Sequence, residues 1–280
     1  MRYLLLCLLL VPAVAVSGQA RTDSVQVLTE IELRDGSRFV GSVTSEDDEV
    51  VMLRTLGGSE VRILKSEIAS RRRISGRVDD GELRRFDPHG SRLFFGPTGR
   101  SLEKSEGYLA AYYVFFGFAA YGITDRFTMA GGTLLMPQAF GDVVWVAPRL
   151  GISNSGRTQS SIGVLAGFGD GGGAGVMYGA WTRGAPDKAF TVGAGLGFAD
   201  GEVDANPVVL LGLERVTSRR TKLMVESYLV PTLAAGAVVI AGVRFFGSGL
   251  AADLGLVGVV GEDADFPAIP WLSFAYHFGK

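Results

Sequence analysis

The chain has 280 residues, and its 27 basic and 29 acidic side chains are scattered along it. This near balance provides neither a basic face for nucleic acid nor an acidic tail, so nucleic acid is not an expected partner. Most of the 40 glycines follow residue 90 and alternate with Val, Leu, Ala and Phe, which is typical of many strands whose backbones approach closely or bend.

The first residues predict an export signal at 1–20. Arg2 precedes an apolar run over 3–16, and small residues follow where a signal peptidase would cut. The one cysteine, Cys7, lies inside this run, so the mature chain is predicted to have neither a disulfide nor a thiolate zinc site. We therefore expect a protein that is secreted or belongs to the cell envelope.

Residues 27–72 predict a small β-domain. Short runs with period-two alternation are separated by turn sequences such as Asp35-Gly36 and Gly57-Gly58, and about five strands fit into this length. The stretch ELRDGSRFVGSV resembles the SH3-like or Sm-like modules found beside envelope domains. The resemblance implies a small SH3-like β-barrel that would be either a periplasmic docking module, with a protein or cell-wall partner, or a folded spacer.

Residues 73–90 predict a linker. They are rich in charge, short of apolar residues and closed by Asp87-Pro88. His89 stands alone in this stretch, and we expect it to be a solvent-exposed loop residue.

The stretch Gly107 to Thr124 has no charged residue and is long enough for a membrane-spanning helix. Its many aromatic residues favour a strand instead. The following segments alternate with period two, as in FTVGAGLGF from Phe190 to Phe198, whereas a helix would spread both residue types around its axis. Segments of this kind, separated by turns, indicate a transmembrane antiparallel β-barrel.

We assign residues 91–280 to this barrel and predict about twelve strands. The first is placed at 91–99 and the second is one long strand at 107–123. Short turns are expected at the periplasmic end, at residues 124–126, 154–157, 185–188, 218–221 and 247–248. Pro148 falls within the fourth strand and requires a bulge or a position where its missing N–H is not needed.

The runs FFGPTGRSLEKSEGY and YGITDRFTMAGG, with the last strand WLSFAYHFGK, resemble a group of uncharacterised, porin-like outer-membrane barrel proteins of Gram-negative bacteria. The resemblance covers residues 90–280 and carries no catalytic residue. It implies an outer-membrane location in contact with lipid. It also implies that the final strand is the signal read by the barrel assembly machinery, through the face formed by Leu272, Phe274, Tyr276 and Phe278.

The alternation assigns several ionisable side chains to the lumen. They are Arg149, Arg183, Glu214, Glu226, Arg244, Asp253 and His277. They could form a constriction that selects solutes by charge. The favoured interpretation is internal salt bridging that fills a narrow barrel, for example Glu214 or Glu226 with an arginine on a neighbouring strand.

No enzyme, cofactor or metal site is predicted. The run GFGDGG at 167–172 matches a dinucleotide motif only formally, because a strand and not a helix follows it. The chain has two histidines, His89 and His277, and neither has an evident partner for acid–base or metal chemistry.

The expected function is a passive channel or narrow porin-like pore with a periplasmic accessory module. The alternative is a non-conducting barrel that anchors the module or displays external loops.

Overall fold

The computed structural model describes residues 26–79, 82–230, 236–261 and 268–279. The predicted signal at 1–20 lies outside these residues. Two antiparallel sheets account for the fold: a small N-terminal sheet and a large sheet that closes into a barrel.

The N-terminal sheet has six strands in the order β4-β3-β2-β1-β5-β6. They are β1 Gln26–Leu33, β2 Arg38–Glu46, β3 Val50–Thr55, β4 Glu60–Leu64, β5 Ile68–Asp79 and β6 Glu82–Arg85. Alternate apolar residues form its core, with Ile31, Val51, Leu53 and Ile63 buried together. The first turn follows the predicted chemistry, because Ser37 N donates to the Asp35 carboxylate and Gly36 has a φ of 87°.

The predicted SH3-like closure is not confirmed. The two edge strands, β4 and β6, do not pair with each other along the described residues, so the sheet stays open. The sheet is also longer than the predicted domain at 27–72, because β5 continues past residue 72 and pairs with β1 as far as Gln26↔Gly76.

The linker prediction for 73–90 is therefore wrong. Residues 73–79 belong to β5, and residues 82–85 form β6. The long partner strand β1 and the burial of Ile74 hold this charged stretch in the sheet, and tertiary pairing overrides its polar composition. At the end of β6, Arg85 donates to the Glu30 carboxylate at 2.5 Å.

The large sheet contains strands β7 to β20. They are β7 Gly107–Tyr112, β8 Phe116–Gly122, β9 Phe127–Leu134, β10 Val144–Val146, β11 Arg149–Ser155, β12 Thr158–Gly169, β13 Gly172–Ala185, β14 Lys188–Ala199, β15 Glu202–Val203, β16 Val208–Ser218, β17 Thr221–Leu229, β18 Ala237–Phe246, β19 Leu250–Val260 and β20 Ile269–Phe278.

The barrel is closed and has twelve strand positions, as predicted. β20 pairs with β7, and β12 pairs with β13, so the antiparallel ladder has no open edge. β10 and β11 share one position between β9 and β12, and the two-residue β15 only extends the edge of β14. The interruption between β10 and β11 is at Pro148, which satisfies the condition that the proline imposed on this strand.

The strand count agrees although two of the strands were assigned wrongly. The stretch predicted as one strand at 107–123 is a hairpin of β7 and β8, with Gly107 paired to Tyr121. Its turn uses Tyr113 and Val114 at positive φ, without the glycine, asparagine or proline that identifies a turn in sequence. The segment at 91–99 is not a barrel strand, and these two errors cancel.

Within the part of the chain that the structure describes, no helix has both the length and the apolarity needed to cross a bilayer. The stretch from Gly107 to Thr124, for which a helix was considered, is the β7–β8 hairpin.

The two ends of the barrel differ. Both chain ends of the barrel meet at one end, where Gly107 pairs with Phe278, and the five turns predicted to be short lie at the same end. The connection between β9 and β10, at 135–143, lies at the opposite end. Side chains alternate along each strand, so large apolar residues such as Leu213, Leu254 and Phe274 cover the outer surface.

Candidate functional site

A segment of the chain that precedes β7 fills the interior of the barrel. We call residues 87–102 the luminal segment. Its central part is a tight hairpin in which Thr98 N donates to Ser91 O at 3.1 Å and Leu93 N donates to Gly96 O at 2.8 Å. The prediction of a barrel strand at 91–99 is therefore wrong, because these residues pair with each other and lie inside the ring of strands.

The tip of this hairpin is packed among apolar side chains. Phe94 is fully buried and meets Trp271 edge to face, with ring centroids 6.2 Å apart, in a cluster that includes Met224 and Ile240. Gly212 of β16 provides the space for Leu93, because a Cβ at position 212 would lie 2.2 Å from Leu93 Cδ1. The fit is close, and the small residue on the strand is matched to the large one on the segment.

One polar contact between segment and barrel is centred on Arg244 and Asp253. Arg244 Nε donates to Asp253 Oδ1 at 2.6 Å, and Arg244 Nη2 donates to Asp253 Oδ2 at 3.0 Å and to Leu93 O at 2.6 Å. Arg92 Nη1 of the segment donates to the same carboxylate at 2.9 Å, as does Ser273 Oγ at 2.8 Å. The Asp253 carboxylate is thus shared by two guanidiniums in a fully buried position.

A second group of charges continues from this one. The Asp87 carboxylate accepts from Arg244 Nη1 at 2.9 Å and forms an ion pair with Lys222. Lys222 Nζ also donates to Glu214 Oε2 at 2.9 Å, and Glu214 pairs with Arg100 at the other end of the segment. Positive and negative charges therefore alternate through the network, and each ion pair of the barrel lies between two charged residues of the segment.

Glu226 binds the backbone of the segment. Its carboxylate accepts from Phe95 N at 3.1 Å and from Gly96 N at 2.8 Å, and the Tyr228 hydroxyl donates to it as well. Two successive N–H groups that point at one anion form a backbone nest. The predicted partner of Glu226 was an arginine, and the structure replaces it with these neutral donors.

The opposite wall of the barrel also holds the segment. Gly99 N donates to Thr182 Oγ1 at 2.8 Å, Ser161 Oγ donates to Thr98 O at 3.2 Å, and Arg149 Nη1 donates to Ser91 O at 2.8 Å. The segment is thus bound from β11, β12 and β13 on one side and from β16 to β20 on the other.

His89 is buried, and the expectation of an exposed loop residue is wrong. Its exposed fraction is 0%, its Nε2 lies 3.2 Å from Gly249 O, and its ring meets the rings of His277 and Tyr108 edge to face, each at 5.9 Å. The entry of the segment into the barrel places this histidine inside. His277 faces inward on β20, as the alternation indicated, and contacts His89.

The structure brings most of the residues predicted to be luminal into this interior. Arg149, Glu214, Glu226, Arg244 and Asp253 are buried there. Arg183 is the exception: Thr182 faces inward and bonds Thr191, so its neighbour Arg183 faces outward and is exposed.

Sequence reasoning missed four charged residues of the interior. They are Asp87, Arg92, Arg100 and Lys222. Lys222 could have been found, because it shares its parity with Glu226 on β17. The other three lie outside the barrel strands, where no alternation exists to assign a face.

The arrangement binds a segment of the protein's own chain through buried ion pairs and hydrogen bonds. In the described ranges, no group of three His, Cys, Asp or Glu side chains is placed to hold a metal ion. Leu272, Phe274, Tyr276 and Phe278, proposed as the assembly signal, lie together on the outward face of β20.

Comparison with solved structures finds a porin and further outer-membrane proteins. The NanC porin aligns with a TM-score of 0.43 and 9% identity, covering 63% of this chain and 99% of that one. A loop-deletion variant of OmpT, an outer-membrane protein of Vibrio cholerae, aligns with a TM-score of 0.35 and 13% identity over 92% of this chain and 100% of that one. No protein-family model and no curated protein matches the sequence.

Proposed function

We propose that the protein is an outer-membrane β-barrel that anchors its N-terminal sheet at the periplasmic face, with a lumen closed by its own chain. The observation that carries this proposal is the luminal segment, whose charged side chains are neutralised by residues on strands around the barrel. The chain passes from β6, which ends at Arg85, directly into the segment at Asp87. The end of the N-terminal sheet and the segment that closes the lumen therefore follow each other directly in the chain.

The outer surface supports a membrane location. A closed ladder satisfies its backbone groups internally, which a bilayer requires of any structure that spans it. Large apolar side chains are exposed all around the outward face, for example Ile162, Leu213, Leu254 and Phe274. A soluble protein rarely exposes apolar surface on this scale. The short turns and both chain ends at one end of the barrel suit a periplasmic side, with the longer loops outside.

The polar interior supports closure over conduction. Ion-conducting lumens present charged side chains to water. Here Arg244 and Asp253 have no exposed surface and bond each other and the segment instead. Filling of the lumen by internal ion pairs favours the non-conducting alternative over a passive channel.

The remaining partners follow from this placement. Outer-membrane lipid would contact the apolar side chains of the outward face, and the assembly machinery would read the outward face of β20. The N-terminal sheet would be free to bind a periplasmic protein or the cell wall. That it acts as an SH3-like module in this binding is part of the same proposal.

Conductance across a planar bilayer tests the proposal. The refolded full-length mature chain should insert without a steady current. A variant in which residues 91–98 are replaced by a flexible Gly-Ser stretch of equal length should give open-channel steps. Both proteins must first show the shift in electrophoretic migration on boiling that marks a folded barrel. A steady current through the unmodified protein would reject the closed lumen and restore the channel hypothesis.

A further inference from the structure

A small cavity remains beside the luminal segment, and several hydrogen-bond donors lie within its mostly apolar lining. Its volume is about 70 Å³. Its polar lining comes from Ser91 and Arg92 of the segment, Thr128 and Arg149 of the barrel wall and the rings of Tyr108, Tyr112 and Tyr178, and apolar side chains such as Phe118 and Leu165 complete it. A cavity needs at least about 10–15 Å³ of such volume to hold one water molecule, so this one has room for a small ion.

Several polar atoms around this cavity have no partner. Arg92 uses Nη1 for its bonds to Asp253 and to backbone carbonyls, while its Nε and Nη2 are buried without a hydrogen bond. The hydroxyls of Ser91 and Thr128 are also buried and unpartnered. Buried polar groups are normally satisfied, so this set indicates a bound species.

Charge decides what that species is. Arg149 is 7% exposed and donates through Nη1 to Ser91 O, but no carboxylate of the described residues lies within ion-pair distance of it. Arg92 shares its single carboxylate, Asp253, with Arg244. Guanidiniums donate and never accept, and an isolated buried cation is costly, so the site is complementary to an anion.

We propose that the cavity between Arg92 and Arg149 is a binding site for a small monovalent inorganic anion such as chloride. The anion would accept from Arg92 on the segment and Arg149 on the wall, with the hydroxyls of Ser91 and Thr128 as further donors. It would join the segment to β9 and β11, on the side of the lumen away from the Asp253 carboxylate. The site requires only the docked segment and does not depend on the proposed membrane role.

The test compares salts at equal ionic strength on the purified full-length mature protein in detergent. The measurement is the unfolding transition in sodium chloride, sodium bromide and sodium gluconate, whose anion is too large for the cavity. Chloride and bromide should raise the transition temperature saturably relative to gluconate, since a ligand that binds only the folded state stabilises it. Equal transitions in all three salts mean that the cavity holds water only, and they overturn the proposal.

Variants localise the effect. Arg149→Met should weaken the apparent chloride affinity by about ten- to a hundred-fold, the effect of losing a charged hydrogen bond. Thr128→Val, which has nearly the same shape, should weaken it several-fold and serves if the first variant does not fold. Arg183→Met, which removes an exposed outward arginine, should leave it unchanged. A chloride effect that survives Arg149→Met and Thr128→Val reflects an adventitious ion only and rejects the site.

Diffraction gives a second readout. Crystals grown in bromide should show one anomalous peak between the Arg92 and Arg149 guanidiniums. Ordered water without anomalous signal at that position would refute the assignment.

Discussion

Arg244 should decide whether the luminal segment stays docked. Its guanidinium donates to both Asp253 oxygens, to Asp87 and to the carbonyls of His89 and Leu93. Arg244→Met keeps much of the side-chain volume but removes every N–H group that donates to these acceptors. Breaking one partner of a buried ion pair costs about 3–5 kcal/mol. Three of these five acceptors belong to the segment, so much of this cost falls on its docking.

A single cysteine can report that docking. The one cysteine of the chain lies in the predicted signal, so Ser91→Cys gives the mature protein a unique thiol. Ser91 is 5% exposed and its hydroxyl bonds no other group of the protein, so a thiol of similar shape fits there and can still face the proposed anion as a weak donor. A charged thiol reagent reaches this position only when the segment leaves its site. The labelling rate of the Ser91→Cys protein therefore measures the equilibrium between docked and released segment.

The expected effect is large. Each 1.4 kcal/mol changes an equilibrium tenfold, so adding Arg244→Met to the Ser91→Cys protein should raise its labelling rate by roughly two to three orders of magnitude. Arg244→Lys should give an intermediate rate, because an ammonium keeps the charge and loses the planar fork. Arg215→Met is the matched control, since Arg215 lies on the same barrel but is exposed on its outward face.

A labelling rate of the Arg244→Met protein within threefold of that of the Ser91→Cys protein, with migration that still shifts on boiling, would refute this role of Arg244. That result would mean that the segment is held by its apolar tip and backbone contacts, and that the buried charges contribute nothing net to docking.

The other predictions concern the tip, the outer surface and the N-terminal sheet. Gly212→Ala should raise the labelling rate of the Ser91→Cys protein, because the new methyl would meet Leu93 Cδ1 at 2.2 Å. Adding Leu93→Ala should reverse part of this increase. If the two substitutions instead raise the labelling rate additively, the contact between positions 212 and 93 is contradicted. Leu254→Arg on the outward face should cost about 2–4 kcal/mol of stability in lipid and lower the yield of the heat-modifiable form. An unchanged yield would argue against contact of this position with lipid. Ile31→Ala should destabilise the N-terminal sheet by about 2–5 kcal/mol, seen as faster proteolysis of that sheet with the barrel intact. Hydrogen bonds from Lys65 and Arg71 lower the pKa of Glu46 below its usual 4.5, so its contribution to the same sheet is present above that value and is lost as pH falls through the lowered pKa; Glu46→Gln should flatten the dependence of proteolysis on pH in this range.

The faces of most strands could be read from the chain alone. Alternation with a period of two is a local property, so Phe190 to Phe198, or Leu250 to Leu256, reveals its apolar face without knowledge of any other strand. The same alternation placed Arg244 and Asp253 inward and Leu272 and Phe274 outward. The assignment of Arg183 to the lumen was wrong. Neighbouring residues of a strand face opposite sides of the barrel, so an error of one position exchanges the lumen for the outer surface.

Turns without special residues could not be read. The hairpin at Tyr113 and Val114 places two non-glycine residues at positive φ, and it is held by pairing of β7 with β8 and β20. Sequence identifies a turn by glycine, proline or asparagine, and this one has none.

The sequence by itself therefore determined that residues after 107 form barrel strands and which face of most of these strands points inward, because both follow from the local period of each strand; the count of twelve agreed only because two errors cancelled. Only the tertiary structure decided that residues 87–102 occupy the lumen, that His89 is buried and that Asp87 pairs with Arg244 across 157 positions of chain. A segment without period carries no sign of the surface it will meet. Its place is set by charges and cavities that exist only once the barrel has closed around it.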